Sequence, residues 1–442
     1  MSTGRAGVHH PQRPRSARRR VRLLVPALAP AMALAVGAAL LGPPASAARK
    51  SATPSSWLQQ RSPVHGVVKH IVDGDTESVD AWGDGIVMTE HIRNAGIQVM
   101  ETGQCHSAEA AAAMSRLTLG KLVWMSASFP SSASYGRPVR FVDVDASGGP
   151  VDTQLSLLRA GHALPLVIPP ESGRWRTYFA AAQRAAAAGH NLWDTDYCGT
   201  GPDQGARIKV WASYDADGAD LGNVNGEYAR ILNRGTRPLS LTGWWVRSAA
   251  QNSYVFPRDT VVQPGATLTL RVGSGRNTAT TRYWGQPSAI YRNIDTAEGF
   301  GNGVYLFDPD GDLRAHAIYP CLYACSDPLL GKVTMAVNYN APGLDPGNPN
   351  GEYVVLSPRT RDAVDLSYRV LTVWGSTYEL PRGSIVRPGE RLVVRIGKGQ
   401  STRLNQYWGK STALLTNAGA VMVLRSTEDV RIACTAWGTG RC

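Results

Sequence analysis

Beginning at Val67, apolar residues dominate the run Val67-Val68-Lys69-His70-Ile71-Val72, which stops at Asp73-Gly74-Asp75. A β-branched run that ends in Asp and Gly predicts a strand and a tight turn. Ile86-Val87-Met88 and His91-Ile92-Arg93 predict the following strand or strands, and residues 122–127 and 139–144 two more. Residues 107–119 predict a helix, with Ser107 as its cap, Ala110 to Ala113 favouring it and Gly120 stopping it. Residues 153–160 and the Ala-rich residues 174–188 predict two further helices, closed by Gly161 and Gly189. Strands broken by one helix and followed by others predict a small β-barrel with helical cover.

The rest of the chain repeats itself. Asn223-Val224-Asn225-Gly226-Glu227-Tyr228 returns as Asn348-Pro349-Asn350-Gly351-Glu352-Tyr353, 125 positions on. Gln263-Pro264-Gly265 returns as Arg387-Pro388-Gly389, and Tyr283-Trp284-Gly285 as Tyr407-Trp408-Gly409, each 124 positions on. Several collinear matches make a duplication. Alternation such as Ile208/Val210/Ala212 and Val333/Met335/Val337, with turns such as Asp310-Gly311, predicts a β-sandwich in each copy. The copies resemble the lamin-tail domain, through the Asn-x-Asn-Gly-Glu-Tyr entry, Leu241-Thr242-Gly243-Trp244, the Pro-Gly turn and the Tyr-Trp-Gly segment. The resemblance implies an immunoglobulin-like sandwich acting as an adaptor. The second copy departs from it at Leu366-Ser367-Tyr368-Arg369, where the Gly-Trp pair is absent.

The expected architecture is therefore mainly β and multi-domain. A barrel with helices at 65–197 is followed by sandwiches at 204–325 and 328–442, after a targeting segment at 1–47 and a Ser, Pro, Arg and Gln-rich linker at 48–64. The targeting segment carries Arg13, Arg15, Arg18, Arg19, Arg20 and Arg22, an apolar run at 23–41, and Ala45-Ser46-Ala47 for a signal peptidase. A retained membrane anchor is the alternative. Arg18-Arg19-Arg20 is a loose match to twin-arginine export. Seven arginines and no acids lie in residues 1–47, so cleavage takes the net charge from +12 to +5. Residues 65–197 hold 10 Lys and Arg against 14 Asp and Glu, a net of −4, while residues 198–442 hold 26 against 20, a net of +6. The barrel is thus the acidic part, which argues against long-range attraction of a polyanion to it.

Six cysteines, all after the signal, imply disulfides in an exported chain. Fifteen pairings are open; clustering favours Cys105–Cys198, Cys321–Cys325 and Cys434–Cys442. Cys105-His106 as a thiol nucleophile beside its base is the minor alternative.

One set of residues in the barrel can carry chemistry. Asp73-Gly74-Asp75-Thr76 puts two carboxylates at a strand end; Arg93 lies in a strand, Glu101 beyond its exit, and Tyr135-Gly136-Arg137 opens another strand. Singly, each has a plain structural explanation as a turn, a solvated face or a helix start. Together they match phosphodiester cleavage, with Asp75 on a hard cation, Glu101 serving a water, and Arg93 and Arg137 forking onto phosphate oxygens.

On these residues, from Ile71-Val72-Asp73-Gly74-Asp75-Thr76 through Tyr135-Gly136-Arg137 to Asn191-Leu192-Trp193, the module resembles the staphylococcal nuclease (thermonuclease) family. The resemblance implies an OB-fold and calcium-dependent cleavage of DNA and RNA. It implies Asp75 as a calcium carboxylate, supported by Asp73, and the Val99 carbonyl as a further ligand. It makes Arg93, Arg137 and Glu101 catalytic and places Tyr135 at the nucleotide. Where the family has a second calcium carboxylate this chain has Gln98, and Leu166-Val167-Ile168-Pro169 stands where the family has pocket tyrosines. An amide ligand weakens a calcium site. The implied protein is a secreted nuclease acting on nucleic acid, with extracellular or envelope partners for the sandwiches. The alternatives are a degenerate module that binds without cutting and a purely structural chain.

Two further patterns have bland explanations. Asp215-Ala216-Asp217-Gly218-Ala219-Asp220 has the acidity of a calcium loop without EF-hand offsets, and its counterpart reads Asn340, Pro342, Asp345, so a turn is expected. The tryptophans around Trp244-Trp245 are expected in sandwich cores rather than on a sugar-stacking surface.

Overall fold

The computed structural model describes residues 63–82, 88–199, 201–203, 205–294, 299–343 and 347–442. The targeting segment, the linker up to residue 62, and Ile86, Val87 and Asp345 lie outside the described residues. The first strand begins earlier than expected, at Val64, because that side chain is buried and extends the in–out alternation of the strand.

The barrel is built from β1 (Val64–Ile71), β2 (Thr76–Ala81), β3 (Glu90–Asn94), the short β4 (Ile97–Gln98), β5 (Leu122–Ser126), the short β6 (Ala133–Ser134) and β7 (Arg137–Ala146). β1 pairs with β2 and β5, β2 with β3, and β5 with β7. A parallel β3–β7 pairing, Arg93 opposite Val139, closes five strands into a ring compatible with an OB-fold. Gly66 permits the tight β1–β2 contact, since a Cβ there would lie 2.5 Å from the Asp80 carbonyl oxygen. A bulge between Val68 and His70 bends β1 so that its end reaches the Asp73–Asp75 turn. Val68, Val79, Ile92, Val123, Met125 and Val142 fill the interior.

Three helices cover the barrel: α1 (Ser107–Thr118), α2 (Thr153–Ala160) and α3 (Trp175–Ala188). Asp152 caps α2 by accepting from the Leu155 amide at 2.8 Å, and Gly161 and Gly189 end α2 and α3 with positive φ. Ser107 does not cap α1. It is already helical, its hydroxyl donates to the Gln104 carbonyl at 2.6 Å, and His106 occupies the cap position with φ 67° and no side-chain cap bond.

Each repeat contributes two four-stranded sheets plus a two-stranded one. Strands Ile208–Ser213, Tyr228–Asn233, Thr267–Arg271 and Thr281–Tyr283 are matched in order by Val333–Asn338, Tyr353–Pro358, Leu392–Arg395 and Asn405–Tyr407. In both sets the last pair is parallel. Trp244 and Trp408 are buried in these cores, as the sandwich reading expects, whereas Trp245 and Trp284 are only half-buried. Asp215–Asp220 forms a turn region, with Asp217 2.6 Å from Lys410 of the second copy.

The departure at residues 366–369 has a structural reason. Tyr368 takes φ 64°, matching φ 77° at Gly243, and turns toward the first copy. Its hydroxyl lies 2.9 Å from Thr267 Oγ1, and its ring packs 5.0 Å from Trp211. Arg369 pairs with Asp327 at 3.0 Å. The residues that replace Gly-Trp thus serve contacts made by the second copy.

The first sandwich also shares its core with the barrel's helical side. Ala249, Tyr305, Phe307 and Ile318 join Met100, Leu157, Phe179 and Trp193 in one buried cluster. Gln183 of α3 donates to the Ile318 and Pro320 carbonyls and accepts from the Leu322 and Tyr323 amides. The cysteines pair as Cys105–Cys198, Cys321–Cys325 and Cys434–Cys442. The Cys105 sulfur is therefore neither a free nucleophile nor a metal ligand beside His106, although Cys105, His106 and Cys198 lie close together. No helix among the described residues is long and apolar enough to cross a membrane.

Glu227 gives the first sandwich a pH dependence. Burial raises its carboxyl to about 8 from 4.5, against the lowering effect of the Ile290 and Tyr291 amides that it accepts from. The folded state holds this proton more tightly than the unfolded state. Stability from this group is full below about 4.5 and declines as pH climbs through about 8. Glu227→Gln keeps the acceptor oxygen, so urea denaturation at pH 9 should show a gain on the order of a few kcal/mol over wild type, fading by pH 4.

Candidate functional site

The site forms where the β1–β2 turn, the end of β3, β4 and the start of β7 converge. Asp73 Oδ1 accepts the Asp75 amide at 2.8 Å, which folds the turn and aims Asp75 inward. Asp75 is buried; its Oδ2 accepts from the Val99 amide at 3.1 Å and lies 3.2 Å from Arg93 Nη2, while Oδ1 accepts from Thr76 Oγ1 at 3.1 Å. Burial and the neighbouring Asp75 charge push the Asp73 carboxyl up.

Arg93 is only 3% exposed. Nη1 donates to the Asn94 carbonyl at 2.5 Å, and Nη2 to the Ile97 carbonyl at 2.8 Å and Gln98 Oε1 at 2.9 Å. Burial lowers its pKa, Asp75 opposes that, and the Arg137 charge adds to the lowering, so the two guanidiniums feel one another. Arg137 is half-buried; Nη1 donates to Thr76 Oγ1 at 3.0 Å and Nε to the Ser134 carbonyl at 3.4 Å. It is the guanidinium with access to solvent. Tyr135 stands beside it, 89% exposed, with φ 50°.

Glu101 is exposed, two residues beyond the Asp75-bound Val99. Its amide donates to Gln104 Oε1 at 2.8 Å, and its Oε1 accepts from Gln98 Nε2 at 3.1 Å. Arg93, Asp75, Gln98, Glu101, Thr76 and Arg137 are thus joined by one chain of hydrogen bonds and ion pairs. Leu166 donates to the Gly96 carbonyl at 3.1 Å, so the apolar segment 166–169 runs beside β4 and brings no tyrosine to it.

The donor set does not fit calcium as it is arranged. The Gln98 amide oxygen faces Arg93, and its NH2 donates to the Val99 carbonyl at 3.2 Å as well as to Glu101. All three expected ligand groups are therefore engaged with each other or with Arg93, Asp75 through its ion pair at 3.2 Å, and Asp75 is the one carboxylate among them. Gln98→Asp would supply the second carboxylate. Isothermal titration should show calcium binding at least about tenfold tighter in that variant, and equal affinities would remove position 98 from any metal role.

Two residues of the first sandwich, unforeseen from the sequence, reach the same site. Gln251 Nε2 donates to Glu101 Oε1 at 2.8 Å. Arg247, on the strand Trp245–Ser248, is buried with Nη1 4.0 Å from Met100 Sδ. The available signal was a lone arginine in the strand after Trp244; nothing in the local pattern marks Gln251.

Residues 209–320 match the family model of the Lamin Tail Domain. That span covers the first sandwich, an immunoglobulin-like domain of a kind that generally serves protein interaction or structure. No nuclease family model matches the barrel. No curated protein matches the chain.

Proposed function

We propose that the barrel carries a phosphodiester-hydrolysing site for nucleic acid, in a chain exported to an oxidising compartment. The observation that supports it best is the bonded chain linking Arg93 and Arg137 through Asp75 and Thr76, with Glu101 tied to the same cluster by Gln98. Arg137 meets the phosphate from solvent and stabilises charge on its oxygens. Glu101 holds the attacking water and takes its proton as the water oxygen bonds to phosphorus; the P–O bond to one sugar oxygen breaks, and that oxygen leaves with a proton from solvent. Arg93 holds Asp75 and Gln98 in place and adds positive potential from below. Three disulfides and the arginine-rich, apolar N-terminal sequence support export. The sandwiches serve placement on a partner.

The test is digestion of single- and double-stranded DNA and of RNA by residues 48–442 across calcium concentrations. Cleavage is expected; intact nucleic acid at every concentration would reject the hydrolase reading. Gln98 favours a second reading, because its three contacts, to Arg93, the Val99 carbonyl and Glu101, complete the cluster without a metal ion. A module of that kind would retard DNA on a gel without cutting it.

A further inference from the structure

The barrel cluster is bordered on its Glu101 side by the first sandwich, not by solvent alone. Glu101 Oε1 receives two amide N–H bonds, from Gln98 at 3.1 Å and from Gln251 at 2.8 Å across the domain boundary. Beside them lies a cleft of about 360 Å³ lined by Glu101, Trp245, Arg247, Gln251, Ser253 and Val255. That volume is at the small end of ligand pockets, roughly 300–1,000 Å³.

Arg247 is the informative wall residue. It is 2% exposed, and among the described residues its hydrogen bonds go to the Ser248, Ala249 and Ala250 carbonyls and the Met100 thioether, none of them to a carboxylate. Burial lowers its pKa, while Glu101, Tyr305 and Asp75 raise it. A buried guanidinium held by neutral acceptors beside a cleft is suited to an anion entering that cleft. Trp245, stacked on Phe307 at 4.1 Å, adds an aromatic wall, which suits a base. The common core of barrel helices and first sandwich fixes these groups relative to one another.

Resting on the hydrolase reading above, we infer that the first sandwich is part of the phosphodiester site. Gln251 is a positioning residue for the Glu101 carboxylate, and the cleft walled by Arg247 and Trp245 seats a nucleotide adjoining the scissile phosphate.

The experiment is steady-state cleavage of a single-stranded oligodeoxynucleotide by residues 48–442. Wild type is compared with Glu101→Gln, Gln251→Ala and Ser253→Glu; the last puts a carboxylate in the cleft and leaves buried Arg247 untouched. Gln251→Ala should lower kcat roughly 10- to 100-fold with a smaller rise in KM, since its amide holds Glu101 while its side chain forms only one part of the cleft wall. Ser253→Glu should raise KM at least about tenfold with kcat nearly unchanged. If wild type cleaves, Glu101→Gln does not, and both sandwich variants match wild type, the inference is overturned and the hydrolase reading stands. Absence of cleavage by wild type overturns that reading and this inference with it.

Discussion

Glu101→Gln should lower the rate of phosphodiester cleavage by about 10²- to 10⁴-fold with the fold intact. Glu101 is exposed, so the substitution removes no packed atoms. Its Oε1 accepts two amide N–H groups, and a glutamine carbonyl can accept the same two. What glutamine lacks is the basicity to take a proton from water. Initial rates together with thermal melting separate the two effects. A variant that cuts at the wild-type rate would show that Glu101 is not the base, and a melting shift of many degrees would show that it is structural.

Arg93→Ala should lose stability as well as activity, roughly 3–5 kcal/mol of it. The guanidinium lies 3.2 Å from Asp75 in a pair whose side chains are 4% and 5% exposed. It also satisfies the Asn94 and Ile97 carbonyls and Gln98 Oε1. Truncation leaves Asp75 as an uncompensated buried charge with three further acceptors unpaired. Urea denaturation reads the loss directly. Asp75→Asn in the same background should recover part of it, because the stranded charge is then gone. A loss below about 1 kcal/mol would mean that the pair is solvated in practice. Arg137→Ala, on the open side of the cluster, strands no buried charge among the described residues, its partners being the Thr76 hydroxyl and the Ser134 carbonyl, and should act on rate far more than on stability.

Much of this was legible in residue order. The Asp73-Gly74-Asp75 turn, Arg93 in its strand and Arg137 opening another are local patterns, and turn chemistry with alternation places them correctly. The duplication needed only fixed offsets, and the structure repeats the strand order at those offsets. The cysteine pairs followed from clustering because two of the three close short loops, with separations of 4 and 8.

What stayed hidden depends on contacts between distant residues. Gln98 reads in sequence as a neutral metal ligand, yet which end of an amide faces which neighbour is decided by Arg93 and Glu101 together. Gln251 lies 150 positions from Glu101 in an exposed loop with no periodicity. Treating barrel and sandwich as separate modules conceals their common core, which periodicity cannot reveal because it reports that a face is buried and not what covers it. Ser107 failed as a cap for a similar reason: its hydroxyl is taken by the Gln104 carbonyl, set by the loop that positions Glu101.

The most direct test of the central claim is a crystal structure of the Glu101→Gln variant with a short single-stranded oligodeoxynucleotide. A phosphate should lie within hydrogen-bond reach of the Arg137 guanidinium and the residue-101 side chain, with the adjoining nucleotide against Trp245. A strand bound on another surface, with no phosphate in the Arg137–Glu101 gap, would contradict the account.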